Sequence, residues 1–115
     1  MHILIINFNL QDLSRAQFEE ACQELAQTFA EIPGLITKTW LANEETNTYG
    51  GVYHFENKQA MLDYKESEVF AAIGANPAFV NPVITDFGIL EGPSKVTGIG
   101  WYWSPSTNLN VVLNK

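Results

Sequence analysis

The chain has 115 residues, of which 46% are hydrophobic and 12% aromatic, a composition typical of a single globular domain. Its six basic and 13 acidic side chains give a formal net charge of −7, which disfavours nucleic acid and anionic membrane surfaces as partners because their phosphates would be repelled. No segment approaches the roughly 18 consecutive apolar residues that cross a bilayer, so we expect no membrane association.

Residues 2–8, with the sequence HILIINF, predict a first strand covered on both faces, because nearly every position is apolar. No basic segment precedes this run and no small-residue cleavage site follows it, so we expect no signal peptide and a cytoplasmic location. Asn7 is the polar exception within the strand. Its amide either binds backbone groups or points into a polar cavity, because buried amides are normally hydrogen-bonded.

Ser14 begins the first predicted helix, since a serine followed three residues later by Gln17 is typical of a capping box. Apolar residues then recur at steps of three and four, which indicates one helical stripe facing a sheet. The stripe consists of Phe18, Ala21, Cys22, Leu25, Phe29 and Ile32. Cys22 is the only cysteine, so we expect a packed, unreactive thiol and no intrachain disulfide. Pro33-Gly34 is expected to end the helix.

Residues 35–42 and 49–55 predict two strands of a hairpin, because the first run is rich in threonine and apolar side chains and the second in aromatic side chains. Residues 43–48 carry the turn chemistry between them.

Antiparallel pairing across this turn sets Trp40 near Gly50-Gly51 and Lys38 near Tyr53, with the register open by one residue. In one register Trp40 shares a face with Tyr53. In the other it shares a face with His54. A glycine opposite a tryptophan leaves space for the indole or for the floor of a pocket.

Asn57 is expected to cap a second helix that runs to Ile73, with a break near Ser67 and an end before Pro77. Residues 80–90 then predict a fourth strand. The order strand, helix, strand, strand, helix, strand is that of the ferredoxin-like βαββαβ fold. This is an α+β fold in which both helices cover one face of a four-stranded antiparallel sheet.

Both faces of the outer strands carry apolar side chains, which leaves an apolar face that the helices do not cover. In strand one, Ile3 and Ile5 oppose Leu4, Ile6 and Phe8. In strand four, Val83, Phe87 and Ile89 oppose Ile84 and Leu90. A two-fold contact between two copies is the commonest way to cover such a face, so we expect a homodimer.

We assign residues 1–91 to this domain and residues 92–115 to a C-terminal extension punctuated by glycine and proline. The extension holds Trp101, Tyr102 and Trp103. We expect it to form a strand or arm whose aromatic side chains pack on the domain or on a partner subunit, with a ligand-stacking surface as the alternative.

No zinc spacing, phosphate loop or nucleophile elbow is present, so we expect no metal site and no cofactor. His54 is a candidate general base near neutral pH, and its alternative is a histidine that only packs in a strand. Trp40 and Tyr53 are candidates for contacting a ligand, and their alternative is simple core packing.

The hairpin resembles one known family. The pattern runs from Pro33-Gly34 through Lys38 and Trp40 to Gly50-Gly51, and then to Tyr53 and Phe55. It looks like the YdhR-like family of putative monooxygenases, within the dimeric α/β-barrel superfamily. The resemblance covers residues 1 to about 92 and implies a homodimer with a cavity between sheet and helices in each subunit.

By this resemblance the protein would be a cofactor-independent monooxygenase that oxidises a small aromatic or quinol-type compound. Tyr53 would then be catalytic, while Asn7, Trp40 and Lys38 would bind the substrate. His54 stands where the family is expected to have an apolar residue, and it is a catalytic candidate only as the general base described above. The alternative is a dimer that binds an apolar small molecule without turnover, in a stress or regulatory role. Haem binding or degradation is a weaker option, because the second helix has no histidine to ligate iron.

Overall fold

The computed structural model describes residues 1–98. Four strands and four helices follow one another along these residues. They are β1 (His2–Leu10), α1 (Arg15–Ala30), β2 (Leu35–Asn43), β3 (Thr48–Phe55), α2 (Lys58–Lys65), α3 (Glu68–Ala75), β4 (Phe79–Gly88) and α4 (Glu91–Val96).

The strands form one four-stranded sheet in the order β2-β3-β1-β4, and every neighbouring pair is antiparallel. With α1 after the first strand and α2 and α3 after the third, this is the predicted ferredoxin-like βαββαβ topology, which confirms the α+β fold class. The sheet brings the hairpin strands β2 and β3 beside β1, and this arrangement positions the candidate site.

The predicted capping box at Ser14 and the predicted helix break near Ser67 are both confirmed. At the start of α1, the Gln17 N–H donates to the Ser14 hydroxyl at 3.1 Å and the Ser14 N–H donates to the Gln17 side chain at 2.9 Å. The second helical segment breaks at Ser67, whose hydroxyl accepts from the Phe70 N–H at 3.2 Å and so starts α3. The segment is therefore two short helices, each of which contributes side chains to the core.

Alternation along β1 divides the sheet into a helix face and an open face. The even-numbered residues of β1 are buried against the helices, whereas the odd-numbered residues are only partly buried. The core lies on the helix face. It consists of Leu4, Ile6, Phe8, Leu10, Phe18, Phe29, Tyr49, Tyr53, Phe55, Met61 and Tyr64.

The open face is apolar, as the two-sided strand pattern predicts. Ile3 of β1 pairs with Phe87 of β4, and Asn7 pairs with Val83. The side chains of Val83 and Phe87 are 57% and 55% exposed. Large apolar side chains exposed together on one face are typical of an interface.

The start of the predicted extension is helical. Residues Glu91–Val96 form α4, with Pro93 inside the first turn, where its missing N–H has no helical partner to lose. The sequence prediction of a strand or arm is thus not met over these residues. The aromatic residues Trp101, Tyr102 and Trp103 lie outside the described residues.

Candidate functional site

The pairing of β2 with β3 decides between the two registers. Lys38 is opposite Tyr53 and Trp40 is opposite Gly51, so these side chains share the helix face. His54 is opposite Thr37 on one side and Ile3 on the other, which places it on the open face. The predicted proximity of Trp40 to the Gly50-Gly51 pair is confirmed, and the register with Trp40 and Tyr53 on one face is the observed one.

A pocket lies between α1 and the helix face of the sheet. Its empty volume is about 450 Å³, including the open mouth. Its wall is almost entirely apolar and rich in aromatic rings. The side chains that matter for its chemistry are Cys22, Phe29, Lys38, Trp40 and Tyr53.

The Lys38 amine is surrounded by aromatic rings inside this pocket. Its Nζ lies 3.5 Å from the ring centroid of Phe29, 3.4 Å from that of Trp40 and 4.7 Å from that of Tyr53. The Phe29 and Trp40 rings meet edge to face, with centroids 5.2 Å apart and planes at 81°. An ammonium at these distances is attracted to the negative faces of the rings.

Burial works against that charge. Removal from water lowers the pKa of Lys38 from 10.5 to about 7, and the nearby Cys22 has a smaller, opposite effect. None of the ion pairs within residues 1–98 includes Lys38. The amine therefore exchanges between charged and neutral forms near neutral pH.

Tyr53 is a buried phenol behind the amine. It is 3% exposed, and the Tyr64 hydroxyl donates to the Tyr53 hydroxyl at 3.5 Å. Burial raises the pKa of both phenols, and for Tyr53 the neighbouring Tyr64 adds to the effect. Tyr53 is thus neutral at physiological pH and can hold a ligand by packing or by a hydrogen bond.

Gly51 provides the space that Lys38 occupies. A Cβ atom at Gly51 would lie 2.8 Å from the Lys38 Cε and 3.3 Å from the Tyr53 ring. The glycine opposite Trp40 in the sequence pattern therefore makes room for the lysine side chain beneath the indole.

His54 and Asn7 lie on the other side of the sheet. Burial lowers the pKa of His54, which favours the neutral imidazole. Asn7 lines a shallow depression of the open face, together with Leu41 and Thr48.

The structure does not bring the five predicted site residues together. Lys38, Trp40 and Tyr53 meet in the pocket, whereas Asn7 and His54 are separated from them by the thickness of the sheet. The physical reason is the strand period of two, because adjacent residues such as Tyr53 and His54 must point to opposite faces.

Phe29 is the residue of the site that the sequence prediction missed. Its place on the apolar stripe of α1 predicts burial but not a contact with the amine. The sequence feature that could have indicated this contact is the position of Phe29 near the end of α1, where the helix crosses the β2 strand that carries Lys38.

Neither histidine lines the pocket, and His2 instead contacts the Asp86 carboxylate, with 2.6 Å between Nε2 and Oδ2. That hydrogen bond lowers the pKa of Asp86. Among residues 1–98, no group of three or more His, Cys, Asp or Glu side chains could hold a metal ion. In the same residues, no helix is both long and apolar enough to cross a membrane.

Fold and site together define a ferredoxin-like α+β protein with an aromatic pocket between its sheet and its helices. The chain belongs to the family described as "Putative mono-oxygenase ydhR", whose sequence profile matches residues 3–99. The match confirms the resemblance seen in the hairpin and extends past residue 92. No functionally curated protein matches the sequence significantly.

Several solved structures share the fold. A putative antibiotic biosynthesis monooxygenase from Deinococcus radiodurans has a TM-score of 0.66 at 18% identity, over 80% of this chain and 95% of that chain. A mutant of SnoaB, a cofactor-independent oxygenase from Streptomyces nogalater, has a TM-score of 0.63 at 20% identity, over 78% and 93%. The haem-degrader MhuD from Mycobacterium tuberculosis has a TM-score of 0.63 at 18% identity, over 78% and 96%.

Proposed function

We propose that this protein is a cofactor-independent monooxygenase that oxidises a small aromatic or quinol-type compound as a cytoplasmic homodimer. The observation that carries the proposal is the aromatic pocket around Lys38. Its family, and the likeness of its fold to an oxygenase described as cofactor-independent, support the class of reaction.

The reaction balances without a cofactor if the substrate supplies the electrons. A hydroquinone and O₂ give a hydroxyquinone and water, so one oxygen atom enters the ring and the other leaves as water. The protein's task is then to bind the substrate, exclude water and control one proton.

Pocket residues suit each part of this task. Trp40 is 37% exposed at the mouth and offers a face on which an aromatic ring stacks. Phe29 and Tyr53 are buried and close the inner wall, which keeps water from the reactive anion. Of the side chains that the structure describes on the wall, Lys38 alone carries a charge.

The open face supports the homodimer part of the proposal. Val83 and Phe87 are exposed there, while the pocket opens on the opposite side of the sheet. Two copies joined through their open faces would bury these side chains and leave both pockets accessible. His54 and Asn7 would then lie at or near the subunit contact.

Oxygen uptake with a panel of hydroquinones and polycyclic phenols tests the enzyme proposal. We expect uptake above the buffer rate for at least one compound, with loss of more than tenfold in Trp40→Ala. Leu62→Ala, on the exposed outer side of α2, serves as the matched control. Uptake no faster than buffer for every compound would remove the oxygenase proposal.

A binding protein without turnover is the second candidate, and the almost entirely apolar wall around the Lys38 amine favours it. Such a protein would be stabilised by about 2.7 kcal/mol at a ligand concentration one hundred times Kd. Mass spectrometry of the recovered ligand separates the two functions, because a binding protein returns it unchanged.

A further inference from the structure

Among residues 1–98, Lys38 is the only charged side chain on the wall of the pocket, and its contacts are with ring faces rather than with a carboxylate. Burying a charge without an opposite charge is unfavourable unless a partner arrives. A ligand that brings an anion would provide this partner. The chemistry of the pocket therefore selects an aromatic ligand that carries an acidic group.

The other titratable groups around the amine are neutral near pH 7. From α1, Cys22 faces it, and burial raises the pKa of that thiol. From β3, Tyr53 faces it, with Tyr64 of α2 behind, and burial raises the pKa of both phenols. Glu19 lies further along α1 and is paired with Arg15 at 2.8 Å.

The remaining elements present apolar side chains to the pocket. These are Ile6 and Phe8 from β1, Ile73 from α3 and Phe79 from β4. Within the described part of the chain, a proton that leaves a ligand inside the pocket thus has one acceptor available near neutral pH.

We infer that Lys38 takes the proton from an acidic aromatic hydroxyl bound in the pocket and then holds the resulting anion as an ammonium–phenolate pair. In this step the O–H bond of the ligand breaks and an N–H bond to Nζ forms, and no electrons are transferred. The inference rests on the proposed function for its substrate class and replaces His54 as the base of the reaction.

The geometry favours this step on two counts. The rings of Phe29 and Trp40 stabilise the ammonium that the step produces, at 3.5 and 3.4 Å from Nζ. The apolar wall excludes water, which strengthens the attraction between the new ammonium and the phenolate.

The ionisation of a bound chromophoric phenol tests this inference without any turnover. The probe is 4-nitrophenol, whose phenolate is yellow and whose neutral form is colourless. Titration of the complex under nitrogen gives the pKa of the bound probe. We expect the wild-type protein to lower that pKa by about one unit relative to the free probe, since an opposite charge nearby favours the ionised form.

Two variants change the amine in different ways. Lys38→Met leaves an apolar pocket, so the bound probe should titrate above its free value because only desolvation remains. Gly51→Ala keeps the charge but displaces the lysine, whose Cε lies 2.8 Å from the new Cβ position, so an intermediate value is expected. Lys58→Met removes an exposed lysine of α2 and should reproduce the wild-type value.

The wild-type titration alone decides the matter if a variant does not fold. A bound probe that titrates at or above its free value, or a probe that does not bind, overturns the inference. So does an equal value in wild type and Lys38→Met. A lowered pKa of the bound probe without oxygen uptake leaves the inference standing and removes the oxygenase function, whereas uptake with an unchanged pKa of the probe does the reverse.

Discussion

The Lys38 amine lies among three aromatic rings, and the burial that places it there also removes its water. The two effects oppose each other: the rings favour the ammonium and burial favours the free amine. Burial lowers the pKa of Lys38 to about 7, so modest changes in the pocket shift the protonation state.

Stability should depend on pH through Lys38. The folded pKa is lowered to about 7 from 10.5, so between these values the unfolded chain binds more protons and wild-type stability rises with pH. Lys38→Met lacks the burial cost of the charge. The unfolding free energy of Lys38→Met should therefore exceed that of wild type most below pH 7. This difference should shrink by about 1–3 kcal/mol toward pH 10.5.

Urea unfolding of wild type and Lys38→Met across this pH range measures that difference. Lys58→Met controls for the general loss of a positive charge. A gap between Lys38→Met and wild type that is constant with pH would contradict the lowered pKa.

Gly50 is required by the close approach of two strands. A Cβ atom there would lie 1.8 Å from the backbone oxygen of Ile6, so β1 and β3 would have to separate. We expect Gly50→Ala to lower the unfolding free energy by about 2 kcal/mol or more.

Gly74→Ala is the matched control, because nothing lies within 4 Å of its new Cβ and helix propensity favours alanine at that position of α3. Denaturant titration of both variants checks the contrast. Equal stability of Gly50→Ala and wild type would show that the strands do not approach so closely.

The residues of the site were only partly predictable from the sequence. Trp40, Lys38 and Tyr53 were found because glycine opposite tryptophan and the hairpin pattern both point there. Their separation from His54 could not be decided, since a slip of one residue exchanges the two faces and the turn does not specify the register. The contact of Phe29 with the Lys38 amine could not be predicted either, because the apolar stripe of α1 indicates only that Phe29 is buried.

Among the elements, α1 shows how local signals fix a boundary. Ser14→Ala removes the hydroxyl that accepts from Gln17, so we expect a loss of about 1 kcal/mol in unfolding free energy. Thr28→Ala on the exposed side of the same helix should cost nothing, because alanine is the better helix former. Chemical denaturation compares them, and a smaller loss for Ser14→Ala than for Thr28→Ala would contradict the cap.

Element boundaries were predicted well where such caps exist and less well elsewhere. Ser67 marks the break between α2 and α3 because its hydroxyl can replace a missing helix bond. The short helix α4 was missed, since Gly92 and Pro93 are typical of a turn and six residues carry too little periodicity to indicate a helix.

For the whole molecule, the open face is the surface through which we propose that two copies join. If two copies join through it, a charge at Phe87 would be buried without a partner and the dimer should dissociate. We expect wild type to elute and scatter light as a dimer, at twice the chain mass of 12.9 kDa. Phe87→Glu should elute and scatter light as a monomer, at the mass of one chain. Leu62→Glu, on the outer side of α2, should leave the dimer intact. A monomeric wild type at micromolar concentration would contradict the assembly.

In the proposed function, the pocket under the helices, with Lys38, oxidises an aromatic substrate with O₂. The most direct test is mass spectrometry of the product after reaction under ¹⁸O₂. We expect one labelled oxygen atom per product molecule with wild type, greatly reduced formation with Lys38→Met, and unchanged formation with His54→Ala. An unlabelled product, or activity that depends on His54 and not on Lys38, would contradict it.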